Sequence, residues 1–120
     1  MTNRDSTQRH PRIRVRILAE SVIALGPGKA DLLEAIDEAG SISGAARAAG
    51  MSYRRAWILV DTMNGCFTSP LVSTAKGGAE GGGARLTPTG RRVLTRYRRL
   101  ASLVEKSFSS LLKVPSRLPE

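Results

Sequence analysis

The stretch from Gly40 to Trp57, GSISGAARAAGMSYRRAW, holds two short helical segments with almost no chain between them. Ala45 to Ala49 is an alanine-rich helix former, Gly50 supplies the left-handed residue that ends such a helix, and Ser52 is placed to cap the next one. Ser43 is read as the cap of the first. The spacing predicts a helix-turn-helix. Its second helix opens with Tyr53, Arg54 and Arg55, so two guanidiniums and a phenol stand where such a helix meets base edges in a major groove. The pattern implies a double-stranded DNA partner.

Charge agrees with that partner. The chain has 120 residues and a formal net charge of +9, with a sequence pI of about 11.0, which favours a polyanion. Fifteen of the 19 basic residues are arginine, suited to paired contacts with phosphate or guanine. The 41% of hydrophobic residues is enough for one domain with a modest core. With Cys66 and His10 the only residues of their kinds, neither an internal disulfide nor a cluster of metal ligands is expected. No apolar run reaches bilayer length and the first dozen residues lack a leader pattern, so the expected location is the cytoplasm, with no membrane partner.

Residues 1–11 read as a flexible tail. Arg12 to Ala19 alternates, Ile13, Val15 and Ile17 against Arg12, Arg14 and Arg16, which predicts a half-buried amino-terminal strand. Those arginines either reach DNA or form a solvated, charge-protected edge, and the second reading is preferred. Ser21 to Leu25 either extends the strand or packs as a loop before a turn at Gly26, Pro27 and Gly28. Lys29 to Ala39 reads as an amphipathic helix with Leu32, Leu33, Ile36 and Ala39 inward. In the helix after Ser52, Ala56, Leu59, Val60 and Met63 form the core stripe, and Asn64 with Gly65 ends it. Trp57 has two roles open to it, packing anchor or DNA contact, and packing is favoured.

Two short strands, Leu71 to Ala75 and Ala84 to Thr87, flank KGGAEGGG, Lys76 to Gly83, with five glycines. This is the pattern of a hairpin wing. It lacks the lysine and serine or threonine of a nucleotide-binding loop. Lys76, Arg85 and the amides of Gly77 and Gly78 are candidate phosphate contacts. Thr87 and Pro88 open a helix over 88–113, about 40 Å long at about 1.5 Å per residue. Its stripe of Val93, Tyr97, Leu100, Val104, Phe108 and Leu111 is too long for one small domain to cover. Val104, Phe108 and Leu111 are therefore assigned to a homodimer contact, while Arg91, Arg92, Arg96, Arg98 and Arg99 add to the basic footprint. Residues 114–120 read as a second tail. The predicted fold is α+β, a winged helix-turn-helix over 12–113 with an added amino-terminal strand and a long carboxy-terminal dimerisation helix.

SISGAARAAGMSYRRAW, LVSTAKGGAEGGGARLTPTG and the long basic helix together resemble the winged-helix domain of the molybdate-responsive ModE regulators, over roughly Ile13 to Leu112. That family's domain is similar in outline to the LysR-type DNA-binding domain. The resemblance implies a dimer that binds operators of molybdate-uptake and molybdoenzyme genes through Ser43 to Asn64 and the wing from Lys76 to Arg85. It carries over no molybdate-binding residue, because the family commonly holds its oxyanion in separate carboxy-terminal domains that this sequence does not contain. Constitutive action, an effector-sensing partner protein and a different signal all stay open.

Two other readings compete: a nucleoid-associated protein with weak sequence preference, and an interaction adaptor that keeps the winged fold. No nucleophile with base and orienter and no paired carboxylates stand at meaningful spacing, so no enzyme is expected. No cofactor is expected in this chain. Titration calorimetry of the purified chain with molybdate should show no saturable heat, and a micromolar or tighter dissociation constant would overturn that expectation.

Overall fold

A computed structural model describes residues 12–75 and 83–112. Over these residues the chain is α+β, with four helices and two small antiparallel sheets. The order is β1 (Ile17–Ala19), β2 (Val22–Leu25), α1 (Pro27–Ala39), α2 (Ile42–Ala49), α3 (Tyr53–Gly65), β3 (Val72–Ala75), β4 (Gly83–Leu86) and α4 (Pro88–Leu112). The expected tails, Lys113 and the wing residues 76–82 lie outside the described residues.

Local punctuation sets the helices. Pro27 occupies the start of α1 after an extended Gly26, so Gly26, Pro27 and Gly28 open a helix instead of forming a separate turn. Gly40, at φ 75°, ends α1 and donates its N–H to the Ile36 carbonyl. Leu32, Leu33 and Ile36 are buried, whereas Ala39 is exposed at the end of the helix.

The cap of α2 is Ser41, whose Oγ accepts from Gly44 N–H at 3.0 Å. Ser43 therefore does not cap; it sits exposed in the first turn. Starting the helix at Ile42 buries that side chain at 5% exposure, which a cap at Ser43 would leave outside the helical register. At the other end Gly50 N–H donates to Arg47 O and Met51 N–H to Ala46 O, with Gly50 at φ 72°. This paired closure satisfies carbonyls that the helix end would otherwise orphan. Ser52 caps α3 as expected, accepting from Arg55 N–H at 3.1 Å.

Residues 12–16 keep the predicted alternation but not the predicted ladder. Ile13 and Val15 are half-buried and the three arginines exposed, yet strand pairing begins only at Ile17. The backbone groups go to α4 instead: Tyr97 Oη donates to Val15 O at 2.6 Å, and Ile13 N–H donates to Glu105 Oε2 at 3.4 Å. Burial raises the Tyr97 phenol pKa above its usual value, which keeps the donor protonated. Val22–Leu25 pairs back on β1 across a two-residue turn in which Glu20 takes φ 59°.

The second sheet is fastened at Leu71. α3 runs through Asn64 and Gly65 to a cap at Cys66, so Asn64 does not stop the helix but fastens the next strand: its Oδ1 accepts from Leu71 N–H at 2.8 Å and Val72 N–H at 3.1 Å, and its Nδ2 donates to Val72 O at 3.1 Å. From the other side Thr87 N–H donates to Leu71 O at 2.9 Å, and Thr87 Oγ1 donates to Pro70 O and accepts from Gly90 N–H. Thr87 is thus the cap of α4. Gly90 packs directly on the Leu71 carbonyl, where a Cβ would collide with backbone. The core gathers Leu25, the inner face of α1, Ile42, Ala45, Ala46, Ala56, Val60, Met63, Leu71, Val72, Ala84, Leu86 and Tyr97.

Along α4 the expected stripe splits. Tyr97 is buried and Val93 and Leu94 pack on the core, but Leu100, Leu103 and Leu111 are exposed at 42%, 58% and 76%. A straight helix leaves a small core after a few turns, so its later residues lose cover. Replacing Gly90 by alanine should cost about 1–3 kcal/mol through overpacking, lowering the thermal midpoint by about 4–8 °C for each kcal/mol. Circular dichroism melting measures this, and a curve superimposable on that of the parent chain would contradict the packing.

Candidate nucleic-acid interface

The chain between α2 and α3 is three residues, Gly50 to Ser52; α2 packs on α3, and Ala45 and Ala46 of α2 are buried. Small side chains there let the two backbones approach. α3 turns Ala56, Val60 and Met63 inward, with Leu59 half-buried beside them. Its opposite face carries Arg54, Arg55, Ile58 and Asp61, all exposed, and half-buried Thr62.

The expected site residues divide between this face and its surroundings. Tyr53 is 55% exposed at the first position of α3. Its ring meets that of Trp57 edge to face, with centroids 6.3 Å apart and planes at 81°. Trp57 is half-buried and packs on the core, so it braces Tyr53 from behind. Ser52 is occupied in capping. Arg54 and Arg55 are exposed, and neither forms an ion pair among the described residues. Ser43 lies exposed on α2, and Arg85 projects from β4 opposite Ser73. Lys76, Gly77 and Gly78 lie outside the described residues.

The basic footprint is narrower than charge counting implied. Arg91 bonds Asp37 at 3.0 Å, and Arg98 bonds both Asp31 at 2.8 Å and Glu34 at 2.6 Å. Burial opposes the charge on Arg98, but the hydrogen bonds to Asp31 and Glu34 outweigh it and raise its pKa. These two arginines are therefore engaged with α1. Lys29 shows the reverse: burial first, then repulsion from Arg55 and Arg16, lowers its pKa, partly offset by Cys66. Arg16 and Arg55 thus act on Lys29 as like charges, an arrangement that an anion would relieve.

Sequence reading missed Lys29, whose neighbours come from three separate segments. It also missed Ile58, which was accessible: the core stripe at Ala56, Leu59, Val60 and Met63 leaves position 58 on the far side of the helix. Among the described residues no three His, Cys, Asp or Glu side chains could hold a metal ion, and no helix is long and apolar enough to cross a membrane.

Comparison with known proteins finds relatives over part of the chain. The chain is 47% identical over 77 residues to the molybdenum transport protein ModE of Azotobacter vinelandii, covering 64% of this chain and 28% of that one. It is 42% identical over 85 residues to the DNA-binding transcriptional dual regulator ModE of Escherichia coli K12, covering 71% and 32%. Over these stretches the chain is similar in sequence to ModE-type proteins. The match extends to the molybdenum-pterin-binding protein MopB of Rhodobacter capsulatus, 41% identical over 97 residues, 81% of this chain and 36% of MopB. The chain spans about a third of the length of these curated relatives. No protein-family model matches it. The names of the ModE-type relatives describe regulation, transport and molybdenum-pterin binding, and none of the three describes an enzyme.

Proposed function

We propose that this chain binds duplex DNA as a winged helix-turn-helix and regulates transcription of molybdate-uptake or molybdoenzyme genes, as a homodimer. The observation that carries the reading is the outer face of α3: two exposed arginines at the capped end of a helix held by a three-residue turn. In this reading α3 lies in the major groove. Arg54 and Arg55 reach base edges, Tyr53 and Ser43 lie at the backbone, and Arg16 with Lys29 meets a flanking phosphate. β3 and β4 form the stem of the wing, with Arg85 on it.

Dimerisation is supported by α4. Its 25 residues extend about 37 Å at about 1.5 Å each. Leu100 and Leu111 are exposed, and Val104 and Phe108 half-buried, along one helical stripe. A twofold partner on that stripe would set two α3 helices about one DNA turn, roughly 34 Å, apart or a multiple of it. The operator would then be an inverted repeat.

Selection of bound genomic fragments, followed by affinities for the selected site and for random DNA at one salt concentration, tests the reading. A high ratio is expected, whereas a ratio near one would favour a nucleoid-associated role. Arg54→Ala and Arg55→Ala should each flatten preference at defined operator positions, by about 1–3 kcal/mol for each bidentate guanidinium–base pair removed. Arg85→Ala should instead weaken all sequences alike and reduce the salt slope by about one unit. Phe108→Glu should convert a dimer to folded monomers in light scattering and sharply lower operator affinity. A parent chain that is monomeric at micromolar concentration would rule out the dimer.

A further inference from the structure

Ile58 is half exposed, at 50%, in the middle of α3, and it is not among the residues packed on the core. It stands two residues from both Ala56 and Val60, which is nearly opposite them on a helix of 3.6 residues per turn. Its surface neighbours, three and four positions away, are Arg54, Arg55, Asp61 and Thr62. A β-branched residue here gains little from burial and lowers helix propensity. Single exposed apolar residues are common on protein surfaces, but this one occupies the centre of the face that carries the two arginines.

Building on the groove reading proposed above, we infer that Ile58 is a specificity residue that recognises the 5-methyl group of thymine. In the major groove that methyl is the one apolar group on a base edge, set among hydrogen-bonding atoms. The protein face is its complement: an apolar centre with guanidiniums at one end. Thr62 reinforces this, because its hydroxyl donates to the Ile58 carbonyl at 2.9 Å and is not free to donate to a base. Asp61 limits the other end of the face. Its carboxylate repels phosphate and can accept from the cytosine amine, which suits base edges and not the DNA backbone. Arginine, isoleucine and aspartate would thus read guanine, thymine and cytosine along one side of α3.

The test uses the purified chain and the operator it selects, with each thymine replaced in turn by uracil, which removes one methyl and leaves every hydrogen-bonding group in place. The parent chain should lose about fourfold in affinity at one or two positions per half-site, the value of one buried methyl group. Ile58→Ala should bind the thymine and uracil forms of those positions equally while retaining preference at the arginine-read positions, and Ile58→Val should keep most of the discrimination. Because Ile58 lies outside the core, the variants should melt like the parent. The inference is overturned if no uracil position matters to the parent chain, or if Ile58→Ala shows the parent's penalties unchanged. Failure to select any operator overturns the groove reading and this inference together, whereas a well-defined operator without an Ile58-dependent methyl overturns this inference alone.

Discussion

One residue holds the second half of the structure together. Leu71 has its N–H bound by Asn64 at the end of α3, and its carbonyl bound by the Thr87 backbone that leads into α4. Its side chain is fully buried. Helix, strand and helix therefore meet at one residue whose polar groups are satisfied from two sides. Three protein bonds to a buried backbone segment also mean that losing the Asn64 side chain would leave two amides unpaired, at about 1–3 kcal/mol each if they stay buried. β3 leaves this junction in a direction dictated by α3, so the strand pair inherits the orientation of the helix with the basic face.

A second constraint is electrostatic. α1 carries most of the described acidic residues, and three of them are bound to Arg91 and Arg98 on α4. Exposed pairs of this kind contribute only about 0–1 kcal/mol each, so their importance is one of position more than of stability. They neutralise charge where α1 meets α4. Arg16 and Arg55 both repel the charge on Lys29, and none of Arg16, Lys29, Arg54 and Arg55 forms an ion pair among the described residues. Arg54 and Arg55 thus leave uncompensated positive charge at the amino end of α3, the kind of charge that attracts a polyanion.

Much of this was legible in the sequence, and the legible part is local. Gly40, Gly50, Ser52 and Thr87 with Pro88 each act within a few residues, so their consequences can be read from spacing. The α3 core stripe and the strands on either side of Lys76 to Gly83 were readable for the same reason. What escaped depends on distant partners. Residues 12–16 looked like a strand because their alternation is real, but Tyr97 and Glu105, 82 and 92 residues away from their partners, take the backbone groups that a ladder would have used. Asn64 looked like a terminator because nothing nearby shows that β3 will return to it. Ser41 and Ser43 are chemically equal caps, and the burial of Ile42 decides between them. Leu100 fits the spacing of the α4 stripe, yet the curvature of a small core turns it out.

The ladder between β3 and β4 begins at Val72 opposite Leu86 and continues to Ala75 opposite Gly83. The two chain ends at that last pair lie side by side, already fixed by the sheet below them. The sheet sets the anchor points of the connection between them whatever its length, and doubling a connection's length adds only about 0.6 kcal/mol of closure entropy. The framework of helices is thus insulated from changes in the size of this connection. Evolution or an engineer can lengthen, shorten or recode it as an exchangeable cassette, leaving the geometry of α3 untouched.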